Sequence, residues 1–465
     1  MTFTELAFLP FLAIVLPVYW AIGDRTRQNA WILAASLLFY GWRTPWYVLL
    51  LAGTALIDYL TARGMERWPA RKGWMLGISL ATNLGLLAWF KYLDFFVENA
   101  AALLDALGVA HALSPPGVPL PVGISFYTFQ TMGYAIDCWR GDTRPRRSLL
   151  DYATFVTFFP QLVAGPVERA NGLLREVESE RRFGWPMFVS GVGLALWGAV
   201  QKVVVADTLA LYVDSVFAMP SPSAPLVAAA TVGFSAQILA DFAGYSDMAR
   251  GLGRMLGFEL MENFRAPYLA RSPSDFWGRW HISFSTWIRD NVYVPLGGAR
   301  HGPRRRVVAT WVAMLASGFW HGAAWHFVAW GAWHAAVLTG WRALAPRVPR
   351  TFAESPLGRA GALGLTLLCV QFGWLLFRED SLARVGGWLS RNPLAAPWEE
   401  QVGAVMVLSV ALAGAAVLGF GGAVRRRWPA DAVPLPARTA LWACGTLAVL
   451  LFSRDVHRDF LYFRF

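Results

Sequence analysis

Seven histidines occur in 465 residues, and four of them, His301, His321, His326 and His334, fall in one short stretch. Imidazole can ligate a metal or exchange a proton near neutral pH, so a metal centre and a proton-transfer site are the two chemistries at stake. A metal centre needs at least three ligands to converge. On a helix turning about 100° per residue, His321 and His326 stand about 140° apart and His321 and His334 about 220° apart, so one continuous helix cannot gather them. The chain has no HExxH motif, and its three cysteines, Cys138, Cys369 and Cys444, lie in or beside separate apolar runs. Neither zinc spacing nor a disulfide framework is therefore available, and no metal is expected. His326 and His334, each next to a tryptophan, read as residues that satisfy their neighbours.

His321 reads differently. The run from Val307 to Leu344 contains no Asp, Glu or Lys, and its only arginine is Arg342. Arg304, Arg305 and Arg306 precede it, and a basic flank marks the cytoplasmic end of a span. Fifteen residues of helix beyond Arg306 put His321 roughly 22 Å along the axis, well inside a hydrocarbon core of about 30 Å. An imidazole at that depth is expensive unless it is paired or faces a wet cavity, which makes it a functional candidate. A neutral imidazole can take a proton from an acceptor hydroxyl or thiol as the bond to an acyl group forms. The plainer reading is a histidine that packs helices. His281, inside WGRWHIS, is either a second polar group that orients a substrate or a half-exposed interfacial residue. Asp241 and Asp247 either line a polar cavity or pair with Arg250 or Arg254. No serine nucleophile elbow, P-loop or dinucleotide fingerprint is present, and Gly251 and Gly253 read as small-residue packing on a helix.

The elements that must position these residues are membrane helices. The chain is 56% hydrophobic and 15% charged, with a mean hydropathy of +0.41, which predicts an all-α polytopic protein whose solvent is lipid. At about 20 residues per span, one domain over 1–465 has room for about ten to twelve membrane segments. Apolar runs recur at 6–22, 30–60 with an interruption at Arg43-Thr-Pro45, 74–90, 120–136, 152–165, 187–206, 225–244, 307–344, 361–377, 402–420 and 439–453. The first of them reads as an uncleaved span with its N-terminus outside the cytoplasm, because its basic residues follow it. Breaks at Pro121, Pro160, Gly165-Pro166 and Gly244 predict re-entrant or half-crossing pieces that line a cavity. The mixed, aromatic-rich stretch 245–306 predicts an interfacial, cytoplasm-facing helical layer, with Ser272 to Asp275 supplying a helix start. The net charge of +11 is dispersed in short clusters such as Arg63 to Lys72, Arg140 to Arg147 and Arg425 to Arg427. That dispersal fits topogenic loops and anionic lipid, not nucleic acid.

Seven blocks together carry a resemblance: PVGISFYTFQ (121–130), FFPQLVAGPVER (158–169), QKVVVAD (201–207), DFAGYSDMARGLGRMLGF (241–258), DFWGRWHISFSTWIRDNVYVPLGG (275–298), SGFWHGAAWHFVAWGAWH (317–334) and FLYFRF (460–465). In that order, from about residue 120 onward, they resemble the membrane-bound O-acyltransferase family, in its bacterial alginate O-acetyltransferase-like branch. The resemblance implies a helical ring around a funnel, with the histidine of FWHG, here His321, at its narrowest point and the histidine of WHIS, here His281, as the second polar position. The same two motifs supply the substrate-lining candidates Asp275, Trp277, Arg279, Trp280 and Trp320. It further implies a multi-pass protein of the bacterial inner membrane with no bound cofactor. Acetyl-CoA would be the cytoplasmic donor, and a polysaccharide such as alginate or cellulose the acceptor. A periplasmic SGNH-type acetyltransferase and a polysaccharide synthase or export complex would be its partners. Peptidoglycan or teichoic acid remains open as the acceptor. The other class of function is a polysaccharide-export component, but transporters of that kind show repeat symmetry between halves, and the histidine-rich blocks occur only in the second half.

Overall fold

In hydrocarbon a backbone amide has no water to bond, so a chain this apolar must satisfy its amides within helices. The computed structural model describes residues 1–392, 395–427, 433–453 and 460–461, and among them no strand occurs. Among the described residues seven helices are long and apolar enough to cross a bilayer: Trp46–Arg67, Pro69–Ala106, Trp185–Phe217, Ala224–Met255, Pro356–Arg378, Trp398–Val424 and Leu435–Phe452. The protein is an all-α, multi-pass membrane protein. The side chains of Arg425 to Arg427 and residues 462–465 of the FLYFRF block lie outside the described residues.

The apolar runs predict more segments than these seven helices, and the reason is visible in the other helices. Ile124–Arg140 buries nearly its whole length, including Ser125, Thr128, Gln130, Thr131 and Asp137. A helix solvated by protein need not be apolar all round. Phe8–Ala21 has 14 residues, or about 21 Å, shorter than the crossing expected for 6–22. The residues before it turn back instead, with the Thr2 amide and hydroxyl donating to Glu5 Oε1 at 3.0 and 3.1 Å.

The helices form two compact units that interleave in sequence, Met1–Gly191 with Ala249–Met261, and Val192–Met248 with Glu262–Phe465. In the first unit the Asp24 side chain accepts the Arg27 amide at 2.8 Å and starts Arg25–Gly41. The interruption at Arg43 to Pro45 separates that helix from Trp46–Arg67, as the sequence predicts. Gly123 and Gly141, at φ 77° and 88°, bound Ile124–Arg140 in conformations that favour glycine. Three helices are joined by one buried polar network. Ser79 Oγ donates to Asp58 at 2.5 Å, Asn83 Nδ2 donates to both Asp58 oxygens at 3.0 and 2.9 Å, and Thr131 Oγ1 donates to Asn83 at 3.1 Å. Residues 163–169 are not helical, consistent with a break at Gly165-Pro166. Glu168 fixes that stretch by accepting the Met261 amide at 2.6 Å, and burial pushes its carboxyl up to about 8.

In the second unit the expected break at Gly244 does not occur: Ala224–Met255 runs straight through it. The glycine serves close approach instead, since a Cβ at Gly244 would stand 2.7 Å from the Gly198 carbonyl oxygen, and one at Gly198 would stand 2.5 Å from that of Gly244. Gly251 plays the part expected of it within the first unit, where a Cβ on Gly191 would meet its carbonyl at 2.6 Å. Beside the Gly198–Gly244 crossing, Lys202 pairs with Asp241 at 2.6 Å and Asp207 at 2.9 Å. A π-helical stretch, Val200–Ala206, underlies the second contact, because its wider turn brings residues five apart onto one face. Asp241 thus has a partner that the sequence does not suggest, and Asp247 accepts from Gln201 at 3.0 Å. In the first unit Arg254 pairs with Glu259 at 2.6 Å.

Candidate active site

Everything described in this subsection lies in the second unit. The stretch predicted to be an interfacial layer contains the short helices Pro273–Trp277 and Ile282–Ile288, the second continuing in a wider turn through Tyr293. Ser272 Oγ accepts the Asp275 amide at 3.0 Å and starts the first, as its residue type predicts. Between them sits His281 in a left-handed backbone conformation (φ 44°, ψ 54°) that a residue with a side chain rarely adopts. A pairing of two segments holds it there. The Arg265 amide donates to the Arg279 carbonyl and the Ile282 amide to the Asn263 carbonyl, both at 3.0 Å. Asn263 Oδ1 also accepts the Ser283 amide at 3.2 Å and the Ser283 hydroxyl at 2.7 Å, while its Nδ2 donates to Ser246 Oγ at 3.1 Å.

His321 is the last residue of Gly302–His321, and the chain reverses at 322–324 into Trp325–Leu344. The apolar run 307–344 is thus a hairpin of two helices. Its arms pack through glycine: a Cβ on Gly318 would meet the Phe327 carbonyl oxygen at 2.2 Å, and one on Gly331 the Met314 carbonyl oxygen at 2.5 Å. No polar residue marks the reversal, so hydropathy alone passes over it.

The two histidines share neighbours. The His281 ring lies 5.0 Å from Phe284 and 5.9 Å from Trp320; His321 lies 5.9 Å from Phe284 and 4.9 Å from Trp320. Phe284 and Trp320 stack on each other at 4.2 Å. Phe242 closes on His281 at 4.5 Å, and Trp330 and Phe377 stand edge-on to His321 at 5.0 and 5.1 Å. Both imidazoles are buried, at 1% and 4% exposure. Burial among rings disfavours charge, and it pushes His281 down to about 3. The Trp330 ring stands beside His321, and its buried indole N–H has no acceptor among the described residues.

The remaining candidates divide. Trp320 belongs to the cluster. Trp277 packs edge-on against Trp330 and His334, at 5.7 and 5.1 Å, one ring removed from His321. Trp280 is core, stacked on Phe276 at 5.7 Å and set against Trp374 at 4.7 Å. Asp275, on the first short helix, pairs with Arg279 just beyond its end at 2.7 Å, both half-exposed. The other histidines separate as well. His326 Nδ1 donates to the Leu376 carbonyl at 3.1 Å, an acceptor-only partner that fixes its tautomer. His334 packs against Trp277, Trp330 and the backbone at Gly373, where a Cβ would stand 2.5 Å from Nε2. His301 Nδ1 bonds the Gly297 carbonyl at 3.0 Å. Among the described residues no three His, Cys, Asp or Glu side chains are grouped to hold a metal ion.

Sequence reasoning does not reach Phe242, Phe284, Trp330, Phe377 or Asn263. Phe284 could be found, since it follows His281 by three residues and so shares its helix face. Phe377 and Asn263 come from distant segments and carry no local signal.

The model of the membrane-bound O-acyltransferase family matches residues 124–372, which include both histidines and all the rings around them except Phe377. The chain is 40% identical over 389 residues to the probable alginate O-acetylase of Pseudomonas putida, covering 82% of this chain and 78% of that protein. It is 39% identical over 392 residues to the probable alginate O-acetylase of Pseudomonas aeruginosa, covering 82% and 73%. It is 31% identical over 387 residues to the peptidoglycan O-acetyltransferase of Helicobacter pylori, covering 76% and 71%. With a helical membrane fold and two buried histidines in one aromatic cluster, the chain belongs to the membrane-bound O-acyltransferase family and is an acyl-transferring enzyme.

Proposed function

We propose that the protein takes an acetyl group from acetyl-CoA at the cytoplasmic face of the bacterial inner membrane and passes it to the far side for O-acetylation of a polysaccharide. The observation that carries this reading is the shared Phe284–Trp320 contact of His281 and His321, which gathers two motifs distant in sequence into one buried site. In this reading a lone pair on a His321 nitrogen takes the proton of a hydroxyl that reaches the site, on a partner or small carrier and not on the polymer, as that oxygen bonds to the thioester carbonyl carbon. The carbon–sulfur bond breaks, and the departing thiolate takes the proton back from the imidazolium, leaving CoA as the free thiol. The Trp330 N–H is a hydrogen-bond donor for the carbonyl oxygen as charge gathers on it. His281, held neutral, orients the reactants through hydrogen bonding. Of the other candidates, Trp320 touches both histidines, whereas Trp277 and Trp280 act through packing and the Asp275–Arg279 pair by bracing the short helix.

Alginate is the first acceptor to test, because the two Pseudomonas relatives are named for it, and cellulose the second. Peptidoglycan is a second reading, favoured by the Helicobacter relative. A polymer is too bulky to reach a site this buried, so the reading calls for a periplasmic SGNH-type transferase and a polysaccharide synthase or export complex as partners.

The test is His321→Ala in cells making the polymer, with base-released polymer acetate and membrane-inserted protein measured side by side. We expect acetate to fall to background at unchanged protein level. Normal acetate with the variant present removes His321 from the mechanism.

A further inference from the structure

We propose that Asn263 is the positioning residue of this site, holding His281 in its left-handed backbone conformation so that the imidazole stays against Phe242, Phe284 and Trp320. The inference rests on the reading of His281 as a site residue. His281 and Ala266 are the two non-glycine residues with positive φ among those described, and both lie in the two segments that pair through Asn263. Such a conformation is unfavourable on its own and persists only when surrounding bonds over-determine it.

Asn263 supplies those bonds on the C-terminal side of the strained residue, while the Arg265 amide bonds the Arg279 carbonyl before it. The Asn263 carbonyl takes the amide of Ile282, the next residue, and its side-chain oxygen takes the amide and hydroxyl of Ser283. The chain leaving His281 is therefore fixed at two consecutive residues by one partner. The partner is itself anchored, because Nδ2 donates to Ser246 on Ala224–Met255. Ser246 lies four residues after Phe242 on that helix, hence on the same face, and Phe242 is the ring that closes on His281 at 4.5 Å. One helix face thus sets both the backbone clamp and the ring that the imidazole meets. Asn263, Ser246, Ser283 and His281 are all about 1% exposed, so water cannot replace any of these bonds.

The chemistry of the position is specific to an amide. It needs an acceptor facing two donors and a donor facing a hydroxyl; Ala offers neither, and Gln is one methylene too long. Asp keeps the acceptor, and the Ser246 hydroxyl can rotate to donate to its second oxygen.

The experiment compares Asn263→Ala, Asn263→Asp, Ser246→Ala and His281→Ala in membranes at equal protein level, with acetyl transfer from acetyl-CoA followed across donor concentrations. Misplacing a reacting group by about 1 Å costs on the order of 100-fold in rate, so Asn263→Ala should lose kcat on that scale with KM for acetyl-CoA little changed. Asn263→Asp should regain part of the loss, and Ser246→Ala should show a smaller fall of the same kind. Loss of fold would instead lower inserted protein, which the equal-level comparison detects. If Asn263→Ala does not insert, Ser246→Ala and Asn263→Asp decide, and wild-type kcat in both overturns the proposal. His281→Ala inactive with Asn263→Ala at full kcat rejects the positioning role alone; His281→Ala at full activity rejects the reading beneath it.

Discussion

His281 is buried among rings that favour its neutral form, and its imidazole, ordinarily near 6.5, is pushed down to about 3. It therefore stays uncharged near neutral pH. The linkage to stability follows: below pH 6.5 the unfolded chain binds a proton that the folded chain refuses, so stability erodes as pH falls from 6.5 toward 3 and is unaffected by this group above 6.5. His281→Asn removes that proton. In detergent, the variant's melting temperature should decline less than that of the native protein between pH 6.5 and 4.5; equal declines would mean that His281 is not shielded as described. In activity the same substitution should keep a measurable fraction of acetyl transfer, because an amide can still hydrogen-bond, whereas His281→Ala should keep almost none. Equal loss in the two would point to proton transfer by His281 itself.

At the scale of elements, the sequence is most informative where a residue type has one physical use. Ser272 starts a helix, Arg43 to Pro45 ends one, and an imidazole in an uncharged run draws attention to His321. It is least informative where partners are far apart. Gly244 looks like a break until Gly198 is placed beside it, Lys202 and Asp241 neutralise each other across separate helices, and the reversal after His321 is as apolar as the helices it joins. The non-helical stretch 163–169 is another such case, legible as a break but not as a clamp. Its Glu168 carboxyl, at about 8 against an ordinary 4.5, contributes stability that is fully present below pH 4.5 and lost as pH rises through 8. Glu168→Gln keeps an acceptor for the Met261 amide and removes the reluctant carboxyl. Its stability relative to the native protein should rise between pH 4.5 and 8 and level off above. Glu168→Ala should follow the same pH trend but lie about 1–3 kcal/mol below Glu168→Gln throughout, since it leaves a buried amide without an acceptor. Thermal melts of the purified chain across pH would separate the two.

For the whole molecule, the functional reading demands sidedness. Arg304 to Arg306 open the helix that ends at His321, and basic flanks mark the cytoplasmic end of a span. Labelled acetyl-CoA should therefore support transfer in inside-out vesicles and not in sealed right-side-out ones; equal labelling from both faces would refute transfer across the membrane. Composition alone makes the chain a helical membrane protein, whereas the division into two units leaves no trace in it, because contacts and not hydropathy define them. The chain passes between units at 191/192, 248/249 and 261/262; the first passage falls inside Trp185–Phe217 and the second inside Ala224–Met255. No contiguous stretch of gene encodes either unit whole. Neither unit is therefore a piece of chain that could be exchanged or cut away as one contiguous segment.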